Sequence, residues 1–436
     1  MKRWVVILLI ALAVVLLLSP GIVGRMAERN LSDSLSWMQQ ESDDIVVTSE
    51  AFQRGWFTSE GRHRIALSDA GLAEIFGGPP PADSDQPPTL IIDTHIDHGL
   101  VPFTSLGREH GTLVPGIASS VSTLSLEYET GDVVELPGRM YSSVGLTGDT
   151  THRYLTDEGS RIIDGGTLSW QGADITVTSD SSRRVFTFDG SIEPLSLEDE
   201  LNSGRLGRIT FTGAQDRRVF ELGVGDMRIE VDGAQGVGPA LEEAGFRRLV
   251  AELSTELHGD RVSGRYRMEF DDLISDPLGS MDLELDLSVT GLHATSLQAL
   301  VDALDRAQDP SATSADIEPE FAALVAYGWQ FHMERFSFRL PQGDLRGTLN
   351  VEIPASGDPD QFSWPALLLA MKASMDVSID APLYDYMVTV QPEFATAAAM
   401  GLLSATGDTY EMKAAFESGL LTINGAPLPI PLNMQQ

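Results

Sequence analysis

The sequence predicts an α+β fold: an N-terminal transmembrane helix followed by a predominantly antiparallel β-sheet body with several packed helices. Three observations lead there. A basic start runs straight into a long apolar stretch, most of the remaining chain alternates polar and apolar residues with a period of two, and only a few short segments show helical spacing.

The apolar stretch comes first. Met1-Lys2-Arg3 precedes a run from Trp4 to Leu18 that Ser19 to Val23 extends to about 20 residues, enough at ~1.5 Å per residue to cross a ~30 Å hydrocarbon core. The basic start predicts a cytoplasmic N-terminus and an exported body. A cleaved signal peptide competes with an uncleaved anchor, but Ser19-Pro20-Gly21 is a poor small-x-small cleavage site, which favours the anchor.

The alternating segments define the body. Met281, Leu283, Leu285, Leu287 and Val289 alternate with Asp282, Glu284, Asp286 and Ser288; Val262 to Phe270 behaves alike. Shorter versions surround Leu124, Ile175, Phe186, Ile209, Met227, Phe336 and Met375. Such segments, separated by Gly and Asp turns, predict antiparallel strands with one buried face. Helical spacing appears at Leu297, Leu300, Val301 and Leu304 with Thr295 or Ser296 as cap, at Phe246, Leu249, Val250 and Leu253, at Phe321, Leu324 and Val325, and over 392–403. Gly77 to Pro88 and Gln308 to Glu318 read as loops, and the Gly-rich stretch Asp232 to Pro239 as a boundary. The expected domains are thus an anchor over 1–25, a strand-rich half over 26–235 and an α+β half over 236–436.

Composition narrows the function classes. The 64 acidic residues outweigh 29 basic ones, for a net charge of −35, which excludes a nucleic-acid partner because phosphate binding needs clustered cations. Lys2, Lys372 and Lys413 are the only lysines. An acidic, lysine-poor surface fits a salt-loving source; a GC-rich genome that favours Arg fits equally. With no cysteine there is no disulfide, thiolate metal site or cysteine nucleophile.

Several segments invite catalytic readings. Leu90 to Asp97 with His110 to Ala118 resembles the Asp and His segments of subtilisin-like proteases, in which a buried carboxylate orients the imidazole that takes the serine proton. Here His95 replaces the expected glycine, the Asp93-to-His110 spacing of 17 is short, and no Gly-Thr-Ser-Met-Ala nucleophile follows, Ser374-Met375 being the nearest fragment. A hydrolase using Asp93 and His110 is accordingly the remote reading. His95 and His98, with His63 or His110, suggest metal ligands, yet an offset of three puts His95 and His98 on opposite strand faces. Asp93, His95 and Asp97 do share a face, which reads better as solvated than as a cation site. Asp43-Asp44 and Asp271-Asp272 lack calcium-loop spacing, and there is no phosphate-binding Gly-rich loop. No catalytic, cofactor or metal residue is assigned, and no enzymatic activity is expected.

The ends of the chain carry a resemblance. Gly24-Arg25-Met26-Ala27-Glu28, the run from Val46 to Ser59 with Arg54-Gly55-Trp56-Phe57-Thr58-Ser59, His98-Gly99, Met400-Gly401-Leu402-Leu403 and Gly419 to Gly425 together resemble the YdgA-like family, a domain of unknown function of inner-membrane-anchored periplasmic proteins. The chain departs from it at Leu100, where proline usually follows His-Gly. The resemblance implies a bacterial inner-membrane location with the body periplasmic, and self-association; it supplies no catalytic residues. Physically, Gly55 suggests a bulge that brings Trp56 and Phe57 into the core, and Asn424-Gly425 a two-residue turn. The function expected is therefore a non-enzymatic envelope protein, partnered with the inner membrane through its helix, whose sheet offers an apolar face to a lipid or apolar partner. A homo-oligomeric scaffold or assembly factor is the alternative.

Overall fold

The computed structural model describes residues 45–67, 88–98, 116–128, 130–163, 166–238, 241–275, 279–306 and 317–428. Of these, 64% lie in strands and 15% in helices. The chain divides into two compact units, one of residues 1–159 with 170–192 and one of 160–169 with 193–436.

In the first unit β1 (Ile45–Arg54), β2 (Thr58–Leu67), β3 (Thr89–His98), β4 (Gly116–Glu127), β5 (Arg139–Gly145), β6 (Thr150–Thr156), β7 (Ala173–Ser179) and β8 (Val185–Ile192) each pair antiparallel with the next. The second unit is built on a ten-stranded antiparallel meander: β9 (Ile209–Asp216), β10 (Val224–Val231), β11 (Arg248–His258), β12 (Arg261–Ser275), β13 (Gly279–His293), β14 (Trp329–Leu340), β15 (Gly343–Ile353), β16 (Lys372–Asp380), β17 (Thr409–Glu417) and β18 (Leu420–Ile423).

Its helices sit between strands: α1 (Ala294–Arg306) and α2 (Glu318–Ala326) after β13, α3 (Trp364–Ala370) before β16, and α4 (Ala381–Val390) with α5 (Glu393–Ala399) after β16. Ser363 caps α3 by accepting from the Ala366 amide at 3.3 Å. Near α1 and α2, Phe220, Val262, Leu292 and Leu324 form one buried cluster. Leu383 and Tyr384 of α4 form a second with Met281, Leu340 and Ile379.

Several expectations are corrected. The expected α+β fold, a transmembrane helix followed by a predominantly antiparallel sheet body with packed helices, gives way to a mostly antiparallel β-sheet protein with five short α-helices among the described residues. The segment around Phe246 to Leu253 is strand, because its apolar residues coincide with helical spacing while their partners lie across the sheet: Leu249 faces Phe270 and Leu253 faces Tyr266. Among the described residues no helix is long and apolar enough to cross a membrane. The longest, α1, has 13 residues, about 20 Å, and carries Asp302 and Arg306. The anchor assigned to 1–25 lies outside the described residues. The transmembrane helix, the inner membrane as partner and the single-pass inner-membrane location with a periplasmic body are accordingly withdrawn. Trp56 and Phe57 do not enter the core: they are 52% and 56% exposed beside the β1–β2 turn, where the Gly55 amide donates to Thr58 O at 2.8 Å. The bulge in this hairpin falls between Ser49 and Ala51.

The carboxy-terminal runs meet at one residue. Asn424 and Gly425 have φ of 50° and 80°, the left-handed pair of a two-residue hairpin turn, joining β18 to Ala426–Leu428. Asn424 Oδ1 accepts from the Lys413 amide at 2.9 Å, while its Nδ2 donates to Gly401 O at 3.1 Å and Leu402 O at 3.2 Å.

Leu383 is fully buried. We expect Leu383→Ala to cost about 2–5 kcal/mol of unfolding free energy in urea titrations; a loss below about 1 kcal/mol would show that α4 does not hold this core.

Candidate functional site

The period-two pattern, combined with the strand register, sorts the second unit's side chains into two opposite faces. On the polar face the charges engage each other. Arg265 grips Asp286 with 2.9 and 2.6 Å bonds, Arg335 meets Glu284 at 2.6 Å, Arg248 meets Glu230 at 2.6 Å, and Arg339 and Arg346 converge on Asp344. The Arg265 guanidinium holds the Asp286 carboxyl below the usual carboxylate range, and Arg248 with Arg228 does the same for Glu230. A shallow hollow here, lined by Arg335, Arg339 and Arg346 together with Glu284, Asp376 and Glu411, holds both signs of charge and is no anion site.

The apolar face is different. Directly opposed residues lie on one side of the sheet, so register traces rows across the strands. One row runs Phe211, Ile229, Ala251, Met268, Leu285, Phe336, Gly347, Val377, Met412 over β9 to β17. The next runs Gly213, Met227, Leu253, Tyr266, Leu287, Met333, Leu349, Met375, Ala414, Ile423 over β9 to β18. Neither contains a charge. Met281 and Leu292, toward the two ends of β13, are buried in the helix-bearing clusters, whereas Leu283, Leu285, Leu287 and Val289 between them are only half-buried. Gly347 is buried and Leu253 is 41% exposed; every other residue of the two rows is half-buried. Among the described residues, helices thus cover the flanks of the apolar face and leave its middle half-buried.

Of the residues singled out from the sequence, Asp93, His95 and His63 are described in the first unit and do not assemble into a site. Asp93 is engaged by Arg62 through two 2.7 Å bonds, so its carboxylate orients no imidazole. His95 lies exposed, 3.6 Å from Glu60 and 3.8 Å from Asp97. His98 is the last residue of β3, and His110 lies outside the described residues. His63 sits opposite Ile92 on the other face from Asp93. Among the described residues no group of three potential ligands could hold a metal.

Two other groupings were missed in the sequence. His63 is 3% exposed with no hydrogen-bond partner on either ring nitrogen, on the face where buried Thr94 and Ser122 bond each other at 2.8 Å. Burial pushes its pKa below the ordinary value, against the opposing pull of Asp93. At the β13–α1 junction, Ser296 Oγ lies 2.9 Å from His293 Nδ1, and His293 Nε2 lies 3.8 Å from Asp260. These are the residue types of a hydrolytic triad, but Nδ1 also accepts the Ser296 amide at 3.4 Å and Ser296 is buried in the first turn of α1. The histidine caps the helix and stacks on Tyr327 at 3.7 Å. A His-x-x-Ser at a strand-to-helix junction was the available signal.

A family model of bacterial proteins of unknown function matches residues 1–431. The chain belongs to the DUF945 family. No curated protein and no solved structure matches it. The DUF945 description carries no activity.

A neutral His63 is favoured in the folded chain, whereas the unfolded chain takes up its proton near the ordinary value of about 6.5. Stability is therefore fully present above that value and falls as pH drops from it toward the depressed folded pKa. We expect His63→Leu to flatten the decline in denaturation midpoint between pH 7.5 and pH 5.5; equal slopes in both chains would rule out this role.

Proposed function

We propose that this DUF945 protein is non-enzymatic and binds a lipid or another apolar partner on the uncovered middle of the second unit's sheet. Within the family we place it beside the YdgA-like proteins, on its Arg54 to Ser59 and Leu421 to Gly425 runs. The observation that carries the reading is the pair of uncharged, half-buried rows that cross nine and ten successive strands. A contiguous apolar surface of that extent marks a binding face when nothing among the described residues covers it. The opposite face supports the same assignment, since its arginines already have carboxylate partners.

Nile red added to the full chain should fluoresce strongly. Leu287→Glu or Met333→Glu, which places an unpaired carboxylate in a row, should weaken dye binding by at least about tenfold. Ser288→Glu, on the polar face one residue away, should leave it unchanged, and matching melting curves establish that all three chains fold. Equal dye binding by the row variants would place the apolar site elsewhere.

A further inference from the structure

We infer that the two rows hold the two acyl chains of a diacyl lipid whose headgroup has no net charge, with the chains lying across the strands. The inference rests on the apolar-face reading and adds the occupant. Four features lead to it.

The first is the track. The rows are two residues apart along each strand, about 6.8 Å, and nine and ten strands at about 4.8 Å extend them over about 38 and about 43 Å. Half of a ~30 Å bilayer core, about 15 Å, is the reach of one acyl chain. Each chain therefore lies wholly on its row, and the track is long enough for a second lipid.

The second is the lack of polar recognition. Tyr266 carries the one hydroxyl in the two rows, and it donates to Met268 Sδ at 3.3 Å. The backbone groups of the inner strands are paired with neighbouring strands on both sides, so an extended peptide cannot add to the face by main-chain hydrogen bonds. Sugars and nucleotides would find nothing to bond.

Methionine content is the third. Met227, Met268, Met333, Met375 and Met412 supply five of the 14 methionines in the chain to these rows. Unbranched, polarisable side chains adapt to chains of differing length and unsaturation.

The fourth is charge. A net −35 opposes an anionic headgroup, a free fatty-acid carboxylate and a second copy of this chain alike.

The test uses the full chain with phosphatidylcholine bearing an alkyl diazirine in one acyl chain, followed by photolysis and peptide mapping. Adducts should fall on row residues of β10 to β17, and Leu287→Glu should reduce their yield at least about fivefold while Ser288→Glu does not. Phosphatidylglycerol with the same chains should bind at least about fivefold more weakly at low salt, the gap closing near 1 M salt where screening acts within ~3 Å. Scattered or absent adducts from a chain that still binds Nile red at the rows would overturn the lipid assignment and leave the apolar-face reading intact; loss of both would overturn both. Equal binding of the two lipids at low salt would overturn the uncharged headgroup. Row-dependent dimerisation without lipid would assign the face to a second copy instead.

Discussion

The second unit depends on uninterrupted antiparallel register. Because side chains alternate along each strand, opposed pairs such as Tyr266 with Leu287 and Leu287 with Met333 keep apolar residues on one side through ten strands. A slip of one residue between β12 and β13 would drive Arg267 or Asp286 into the apolar rows. The bulges between Phe270 and Leu273 and between Met333 and Phe336 adjust the register without breaking it: Leu273 opposes Met281 beyond the first, and Phe336 opposes Leu285 beyond the second.

That constraint gives the two faces different fates. On the polar side, alternating Arg and Asp or Glu on neighbouring strands form cross-strand ion pairs, each worth roughly 0.2–1 kcal/mol at such exposed positions. Their main effect is to fix register and neutralise the face locally despite a net charge of −35. On the apolar side, helices bury only the flanks: α1 and α2 near Leu292, and α4 near Met281. Among the described residues no helix covers Leu285, Leu287, Met333 or Met375, which stay half-buried.

Much of the second unit's sheet was legible in the sequence, since the alternation of Met281 to Val289 and Val262 to Phe270 is a local property of the chain. The strand nature of Leu249 to Leu253 was not, because apolar residues three and four apart satisfy a helix as well as two strand faces, and only the partners Phe270 and Tyr266 decide. The exposure of Trp56 and Phe57 was hidden for a similar reason: an aromatic pair reads as core unless the turn that carries it is known. The candidate site itself was legible as a texture but not as a place. Which apolar residues a helix would cover depends on where α1, α2 and α4 pack, and no local pattern in the sequence encodes that. Asp93 and His95, conspicuous as motifs, turned out to be engaged by Arg62 or exposed beside Glu60.

A binding role requires that the middle of the apolar face be accessible in the folded protein. The chain contains no cysteine, so a single introduced thiol reports its site alone. The most direct measurement is the rate at which Met375→Cys and Ala303→Cys react with a small maleimide in the native full chain. The thiol at 375 should react nearly as fast as in denaturant, while the one at 303, a position 2% exposed in α1, should be strongly protected. Comparable protection at both positions would mean that the face is already covered, and would contradict a binding role for it.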